Sequence, residues 1–155
     1  MRKSRAKKRI LLPDAKYNDT LVTRFVNNMM VDGKKSVAFK VFYDAMKIVG
    51  EKTEEDAVET WKKALTNIMP HVEVRSRRVG GATFQIPTQI RPDRKVATAM
   101  KWLITYTRKR NEKTMSARLA AEVIAASKEE GAAVKKRTDT HKMAEANKAF
   151  SHFRF

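Results

Sequence analysis

The fold of this chain is decided by the stretch from His71 to Lys95, which reads HVEVRSRRVGGATFQIPTQIRPDRK. Two segments within it, Val72–Val79 and Ala82–Ile90, fit the pattern of β-strands and flank Gly80-Gly81, a pair that can take the positive φ of a tight turn. We therefore predict a β-hairpin that is rich in basic residues. The basic residues on the two strands or shortly after the second strand are Arg75, Arg77, Arg78, Arg91, Arg94 and Lys95. With only two carboxylates in the stretch, the ribbon is expected to meet a polyanion.

The register of this hairpin has two alternatives, and a slip of one residue moves every side chain to the other face. A loop made of the two glycines alone pairs Arg77 with Phe84 and gives a mixed basic and aromatic face. A loop of three residues places Arg78 opposite Ala82 and segregates the apolar side chains from Arg75 and Arg77. Phe84 itself either packs against a neighbouring helix or contacts a base or ribose.

The composition indicates a protein that binds a polyanion. The 155 residues include 34 Lys and Arg against 17 Asp and Glu, which gives a net charge of +17 and a pI of about 10.3. So large an excess repels itself and is tolerated chiefly when phosphates neutralise it. A chain of this length is expected to form one domain and to bury roughly 70% of its unfolded surface. The lack of cysteine excludes a disulfide framework and a thiolate metal site.

The start of the chain resembles a targeting signal only in its charge. After MRKSRAKKR, the apolar residues Ile10–Leu12 stop at Pro13, which is far short of the apolar region of a secretory signal. No segment approaches the length of a membrane span. We therefore expect a cytoplasmic protein without a membrane partner.

Apolar residues recur at helical spacing along most of the chain. The predicted helices are about Thr20–Val31, about Lys35–Val49, a third from a capping box at Thr53 and Asp56 to Pro70, a fourth from Pro92, then Met115–Glu130 and about Val134–Phe150. The predicted fold class is mainly α: a single-domain bundle of about six helices with an extended two-stranded β-hairpin inserted between helices three and four. Trp61 and Trp102 are predicted to lie in its core.

Two further basic clusters stand outside the hairpin. The arm formed by residues 1–16 carries the cations Arg2, Lys3, Arg5, Lys7, Lys8 and Arg9. Such an arm is expected to be disordered when free and to contact phosphates. The run Lys135-Lys136-Arg137 lies in or before the first turn of the last helix, where cations are unfavourable by a few tenths to about 1 kcal/mol each. An anion should compensate there, and a phosphate is the natural candidate.

Neither a catalytic nor a metal-binding constellation is visible in the sequence. His71, His141 and His152 are scattered without metal-ligand spacing, and no Ser or Cys lies in a recognisable nucleophile motif. We expect no enzyme activity, no metal and no cofactor.

Four segments resemble the bacterial small-subunit ribosomal protein seven family, in the order that the family has them. They are DGKKSVAF (32–39), VEVRSRRVGGATFQIPTQIRP (72–92), RPDRKVATAMKWL (91–103) and GAAVKKRTDTHKMAEANKAFSHFRF (131–155). The resemblance covers nearly the whole chain. It implies a helical domain with a β-ribbon that binds the 3′ major domain of small-subunit rRNA and helps to nucleate assembly of the head. It also implies contact with exit-site tRNA and mRNA, and with neighbouring small-subunit proteins of the head and platform.

Carried over residue by residue, the resemblance implies one rRNA-binding domain over residues 1–155, with the arm at 1–16, the hairpin at 72–91 and a C-terminal helix and tail at about 135–155. The implied rRNA-binding residues are Arg2, Lys3, Arg5, Lys7, Lys8, Arg9, Lys34, Lys35, Arg75, Arg77, Arg78, Arg91, Arg94, Lys95, Arg108, Lys109, Arg110, Lys135, Lys136 and Arg137. The ribbon tip, Val79, Gly80, Gly81 and Ala82, would lie towards exit-site tRNA. One departure is Thr88-Gln89-Ile90, which lacks a carboxylate that is usual in the family.

Two other functions fit part of the sequence. A helical protein with a β-arm and a high positive charge could be a regulator that grips duplex DNA. A ribonuclease is a more distant alternative, because no pair of an acid and a base suggests itself. Preference for a folded rRNA junction over duplex DNA at matched salt distinguishes the ribosomal interpretation from the regulator.

Overall fold

Six α-helices and one β-hairpin form the computed structural model, which describes residues 9–153. The elements are α1 (Thr20–Met29), α2 (Lys35–Thr53), α3 (Ala57–Ile68), β1 (Val72–Val79), β2 (Ala82–Gln89), α4 (Pro92–Arg108), α5 (Met115–Ser127) and α6 (Ala132–Ala146). A 3₁₀ segment, Lys148–Phe153, follows α6. The predicted fold class is confirmed: the chain is mainly helical, and the hairpin lies between helices three and four.

The internal contacts divide the chain into two units, residues 1–40 and 41–155, and the division falls inside α2. In the first unit, Asp14 is buried, and its carboxylate accepts hydrogen bonds from the backbone N–H groups of Lys16 and Tyr17. The last residues of the predicted arm therefore belong to a folded turn.

The boundary between α2 and α3 differs from the prediction. The second helix continues through Gly50 to Thr53, whose hydroxyl donates to a backbone carbonyl one turn earlier at 2.8 Å. Glu54 then takes a positive φ of 56°, which ends the helix. Asp56 caps α3 by accepting the backbone N–H of Val58 at 3.1 Å. The predicted capping box was wrong because Asp56 is itself a favourable N-cap residue and Thr53 is not needed in that role.

The last two helices are also shorter than predicted. The fifth ends at Ser127 because Glu129 has a positive φ of 62°. Gly131, with a φ of 94°, is the N-cap of α6 rather than the end of α5. The predicted single helix up to Phe150 is instead α6 and the 3₁₀ segment, separated at Asn147, whose side-chain amide donates to a carbonyl of the last turn.

The core of the second unit is built around Trp61, which is fully buried on α3. Its ring meets the ring of Phe42 edge-on, with centroids 5.4 Å apart and planes at 79°. Leu65 of α3, Leu103 of α4 and Leu119 of α5 are also fully buried. Trp102, in contrast, is partly exposed, so only one of the two tryptophans predicted for the core is fully buried there. Trp102 lies at the edge of the apolar stripe of α4.

This difference predicts unequal effects of truncating the two tryptophans. Trp61→Ala should reduce the free energy of unfolding by about 3 to 5 kcal/mol, because it removes a buried ring and leaves a cavity. Trp102→Ala should cost clearly less, because part of that ring is already in water. Thermal or denaturant melts of both variants test the order, and equal losses would contradict it.

The hairpin has the two-glycine loop, so the first of the two predicted registers is correct. Val79 pairs with Ala82 and Arg77 pairs with Phe84. The turn needs a positive φ at both central positions, and the two glycines have φ of 57° and 89°. A Cβ at either glycine would meet nothing within 4 Å, so backbone conformation rather than crowding requires glycine here. The tip is therefore open to a partner.

Candidate nucleic-acid interface

The base of the ribbon holds two arginines on one carboxylate. Glu73 accepts a hydrogen bond from Nε of Arg75 at 2.7 Å and another from Nε of Arg94 at 2.8 Å. Burial raises the pKa of Glu73, but the hydrogen bonds and charges of Arg94 and Arg75 outweigh it and hold that pKa below its usual range. More than half of each arginine side chain stays exposed. Glu73 therefore holds Arg75 and Arg94 in place while both side chains stay exposed at the surface.

Further towards the tip, one face of the ribbon carries both apolar and basic residues. Phe84 is partly buried and Ile86 is 4% exposed, whereas Arg75, which pairs with Ile86 on the same face, is exposed. The ring of Phe84 lies 5.1 Å from that of Phe150 in the 3₁₀ segment. Of the two roles considered for Phe84, packing is therefore the one observed, although its neighbour is the 3₁₀ segment rather than one of the six helices. Arg78 points to the opposite face and is exposed.

At the start of α4, Arg91 is the N-cap residue and makes no side-chain capping bond, and Pro92 occupies the first turn. Arg91 and Arg94 are exposed, while Lys95 is partly buried. The N-terminus of a helix has free N–H groups and a partial positive charge, and adjacent cations strengthen its attraction for an anion. Here Pro92 has no N–H and those of Arg94 and Lys95 donate to the carbonyl of Arg91, so this helix start offers an anion mainly its exposed arginine side chains.

At the other end of α4, the predicted basic cluster divides into two kinds of residue. Arg108 and Lys109 are exposed. Arg110 instead turns inward, and its guanidinium donates to Glu112 at 3.0 Å and to Glu122 at 2.7 Å. The Glu112 hydrogen bond raises the pKa of Arg110, burial lowers it, and the Glu122 bond adds to the net increase. Arg110 therefore has internal partners, which sequence reasoning did not identify.

Glu122 supplies the anion that the start of α6 was predicted to need. Its side chain is fully buried, and its second carboxylate oxygen accepts the backbone N–H of Ala133 at 2.9 Å. Gly131 permits this approach, because a Cβ there would lie 3.1 Å from the same oxygen. The chain therefore provides a carboxylate of its own at this helix start, while a phosphate contact of the exposed Lys135 stays a prediction.

The basic run on α6 also divides. Lys135 is exposed and Lys136 is partly exposed. Arg137 donates from Nη1 to the backbone oxygen of Asn67, at the end of α3. The side-chain amide of Asn67 in turn donates to the backbone oxygens of Ala126 and Ser127, at 2.9 and 3.2 Å. Arg137 of α6 is therefore linked, through Asn67, to the C-terminal ends of α3 and α5.

In the first unit, Lys34 at the end of the loop after α1 and Lys35 at the start of α2 are exposed, next to Gly33 with its positive φ of 72°. Arg9 is exposed as well. The other predicted arm contacts, Arg2, Lys3, Arg5, Lys7 and Lys8, lie outside the described residues.

The predicted contacts therefore fall into groups by exposure. Those exposed are Arg9, Lys34, Lys35, Arg75, Arg78, Arg91, Arg94, Arg108, Lys109 and Lys135. Those partly buried are Arg77, Lys95, Arg110, Lys136 and Arg137. Within residues 9–153, no group of three or more His, Cys, Asp or Glu side chains is placed to hold a metal ion. None of the described helices is long and apolar enough to cross a membrane.

The exposed cations lie on a loop, on the ribbon and at helix ends, and two of them are held in place by Glu73. Such a surface is typical of a structural protein that binds nucleic acid. The sequence matches the family described as Ribosomal protein S7p/S5e over residues 1–148, and the chain belongs to that family. It is accordingly a structural ribosomal protein and not an enzyme.

Relatives with similarity over their whole length support this assignment. The chain is 77% identical to the small ribosomal subunit protein uS7 of Christiangramia forsetii, with 100% of both chains covered. It is 67% identical to the protein of that name in Cytophaga hutchinsonii and 58% identical to that in Porphyromonas gingivalis, again over 100% of both chains.

Proposed function

We propose that this protein binds the 3′ major domain of small-subunit rRNA, nucleates assembly of the head of the subunit, and directs its ribbon tip towards exit-site tRNA and mRNA. In this proposal residues 1–155 act as one rRNA-binding domain, with neighbouring head and platform proteins as further partners. The observation that carries it is the number of cations that the fold leaves exposed on separate elements. Family membership favours this function over regulation of duplex DNA.

The exposed cations suit a folded RNA better than one straight duplex. They lie on separate elements: the arm, the loop before α2, the ribbon, both ends of α4 and the start of α6. Phosphate contacts of this kind position a protein on its target without reading sequence. Structured RNA is recognised largely through shape and backbone, which such a dispersed set can follow.

A chemical footprint on small-subunit rRNA tests the proposed site. Protection should concentrate in the 3′ major domain and should be lost when the salt concentration is raised. Protection confined to another rRNA domain, or stronger binding to duplex DNA at matched salt, would contradict the proposal.

The arm and the ribbon tip are expected to have separate roles. Deletion of residues 1–9 removes the six arm cations, so the salt exponent of rRNA binding should fall by up to about 4 to 5. The melting temperature should stay nearly unchanged, because Arg9 at the end of the deleted stretch and Ile10 directly after it are exposed. Removal of Val79–Ala82 should leave rRNA binding and head assembly in place while changing retention of exit-site tRNA or reading-frame fidelity.

Titration of rRNA and release of tRNA from assembled subunits, measured on both deletions, distinguish these roles. The undeleted protein, assembled in the same way, is the control. If the tip deletion abolishes rRNA binding and the arm deletion does nothing, the two roles are assigned the wrong way round.

A further inference from the structure

The ribbon contacts the C-terminal part of the chain at two separate levels. At its base, the backbone N–H of His71 donates to Nε2 of His141 on α6 at 3.1 Å. Nearer the tip, Phe84 meets Phe150 of the 3₁₀ segment. The segment that begins with α6 and ends at Phe153 therefore runs beside the hairpin.

The two contacts are far enough apart along the ribbon to control the direction in which the ribbon points. Between the basal pair Val72–Gln89 and the pair Arg77–Phe84 there are five residue steps, which span about 17 Å at about 3.4 Å per residue. Beyond Phe84 only two steps, about 7 Å, remain before the last pair at the turn. A ribbon held only at its base can pivot, and a second contact at this distance prevents pivoting.

The ribbon needs such support because an isolated two-stranded hairpin is marginal in water. Two further anchors lie closer to the base. Glu73 and its arginines are one step from the basal pair, and Ile86 is three steps from it. Phe84 is thus the outermost residue of the ribbon for which a packed ring is observed.

We propose that Phe150 is a positioning residue: together with Phe84 it makes the 3₁₀ segment a strut that fixes the direction of the ribbon tip. The strut would place the tip for the exit-site tRNA, and this second step rests on the proposed function. Phe150 need not touch RNA to do so. Its role is to remove the freedom of the ribbon to swing about its base.

The direction of the tip can be measured in the free protein. The chain has no cysteine, so the changes Ala82→Cys at the tip and Thr105→Cys on α4 create the only two labelling sites, and both positions are exposed. Spin labels at these sites report the distance between tip and helix as a distribution. In the otherwise unchanged protein we expect one narrow distance.

Phe150→Ala should broaden that distribution. Phe150→Tyr keeps a ring at this position, so its distribution should stay narrow. Phe84→Ala removes the same contact from the ribbon and should broaden the distribution in the same way. Met143→Ala, a truncation of an exposed side chain on α6, is the control that should leave it narrow. Circular dichroism shows which variants remain helical. The two alanine changes are independent tests, because they remove opposite sides of the same contact.

An unchanged narrow distance in both Phe150→Ala and Phe84→Ala would overturn the strut, whatever tRNA does. Release of exit-site tRNA from assembled subunits then tests the placement of the tip separately. Faster release with Phe150→Ala at unchanged rRNA affinity supports the whole inference. A broadened distribution with unchanged release supports the strut and instead contradicts the proposed proximity of the tip to tRNA.

Discussion

Binding of this protein to small-subunit rRNA should weaken by about 10³ to 10⁵ between 50 and 200 mM salt, the scale for a protein that contacts six to ten phosphates. The exposed cations are numerous enough for that many contacts, and they are spread over several elements. Each contact displaces counterions from the RNA, so the logarithm of the affinity should fall linearly with the logarithm of the salt concentration. Filter binding over this range measures the slope.

Two neighbouring residues of one basic run make this test specific. Lys135→Gln removes an exposed cation and should lower the salt exponent by about 0.7 to 0.9, with little change in melting temperature. Arg137→Gln removes the donor to the carbonyl of Asn67 and should instead lower the melting temperature. A nearly flat salt dependence of the parent protein, or a reversal of the two effects, would contradict the exposed set as the binding surface.

The hairpin could be predicted from the sequence because its signals are local. Gly80-Gly81 permits the positive φ of the turn, and the flanking segments suit strands. The register could not be predicted, because loops of two and of three residues are both compatible with that local pattern. In the folded protein the observed register places Phe84 against Phe150, a residue 66 positions further along the chain. A contact of this range leaves no mark on the local sequence.

The sequence predicts which basic residues belong to the candidate site. It does not predict which of their side chains are exposed and which point inward. Nothing in the run Arg108-Lys109-Arg110 distinguishes its members, but the third has two carboxylate partners. A signal for one of these partners was nevertheless present. Glu122 lies three residues after Leu119 and next to Val123 on an otherwise apolar face of α5, and a carboxylate in such a place must find a donor when it is buried.

Glu122 also gives the largest stability effect that we expect outside the apolar core. Glu122→Ala should reduce the free energy of unfolding by about 3 to 5 kcal/mol, because it removes a buried, charge-assisted hydrogen bond and leaves Arg110 with only the less buried Glu112 as partner. It also removes the acceptor for the backbone N–H of Ala133. For a chain of this size such a loss corresponds to a fall in melting temperature of about 6 to 20 °C.

Two further variants separate the charge of Glu122 from its hydrogen bonds. Glu122→Gln keeps an oxygen that can accept from Ala133 but loses the ion pair, so its melting temperature should lie between those of the parent and Glu122→Ala. Glu112→Gln, which removes the less buried partner of Arg110, should change the melting temperature least. If Glu122→Ala melted like the parent, the start of α6 would not depend on an internal anion, and an RNA phosphate would again be the candidate to neutralise it.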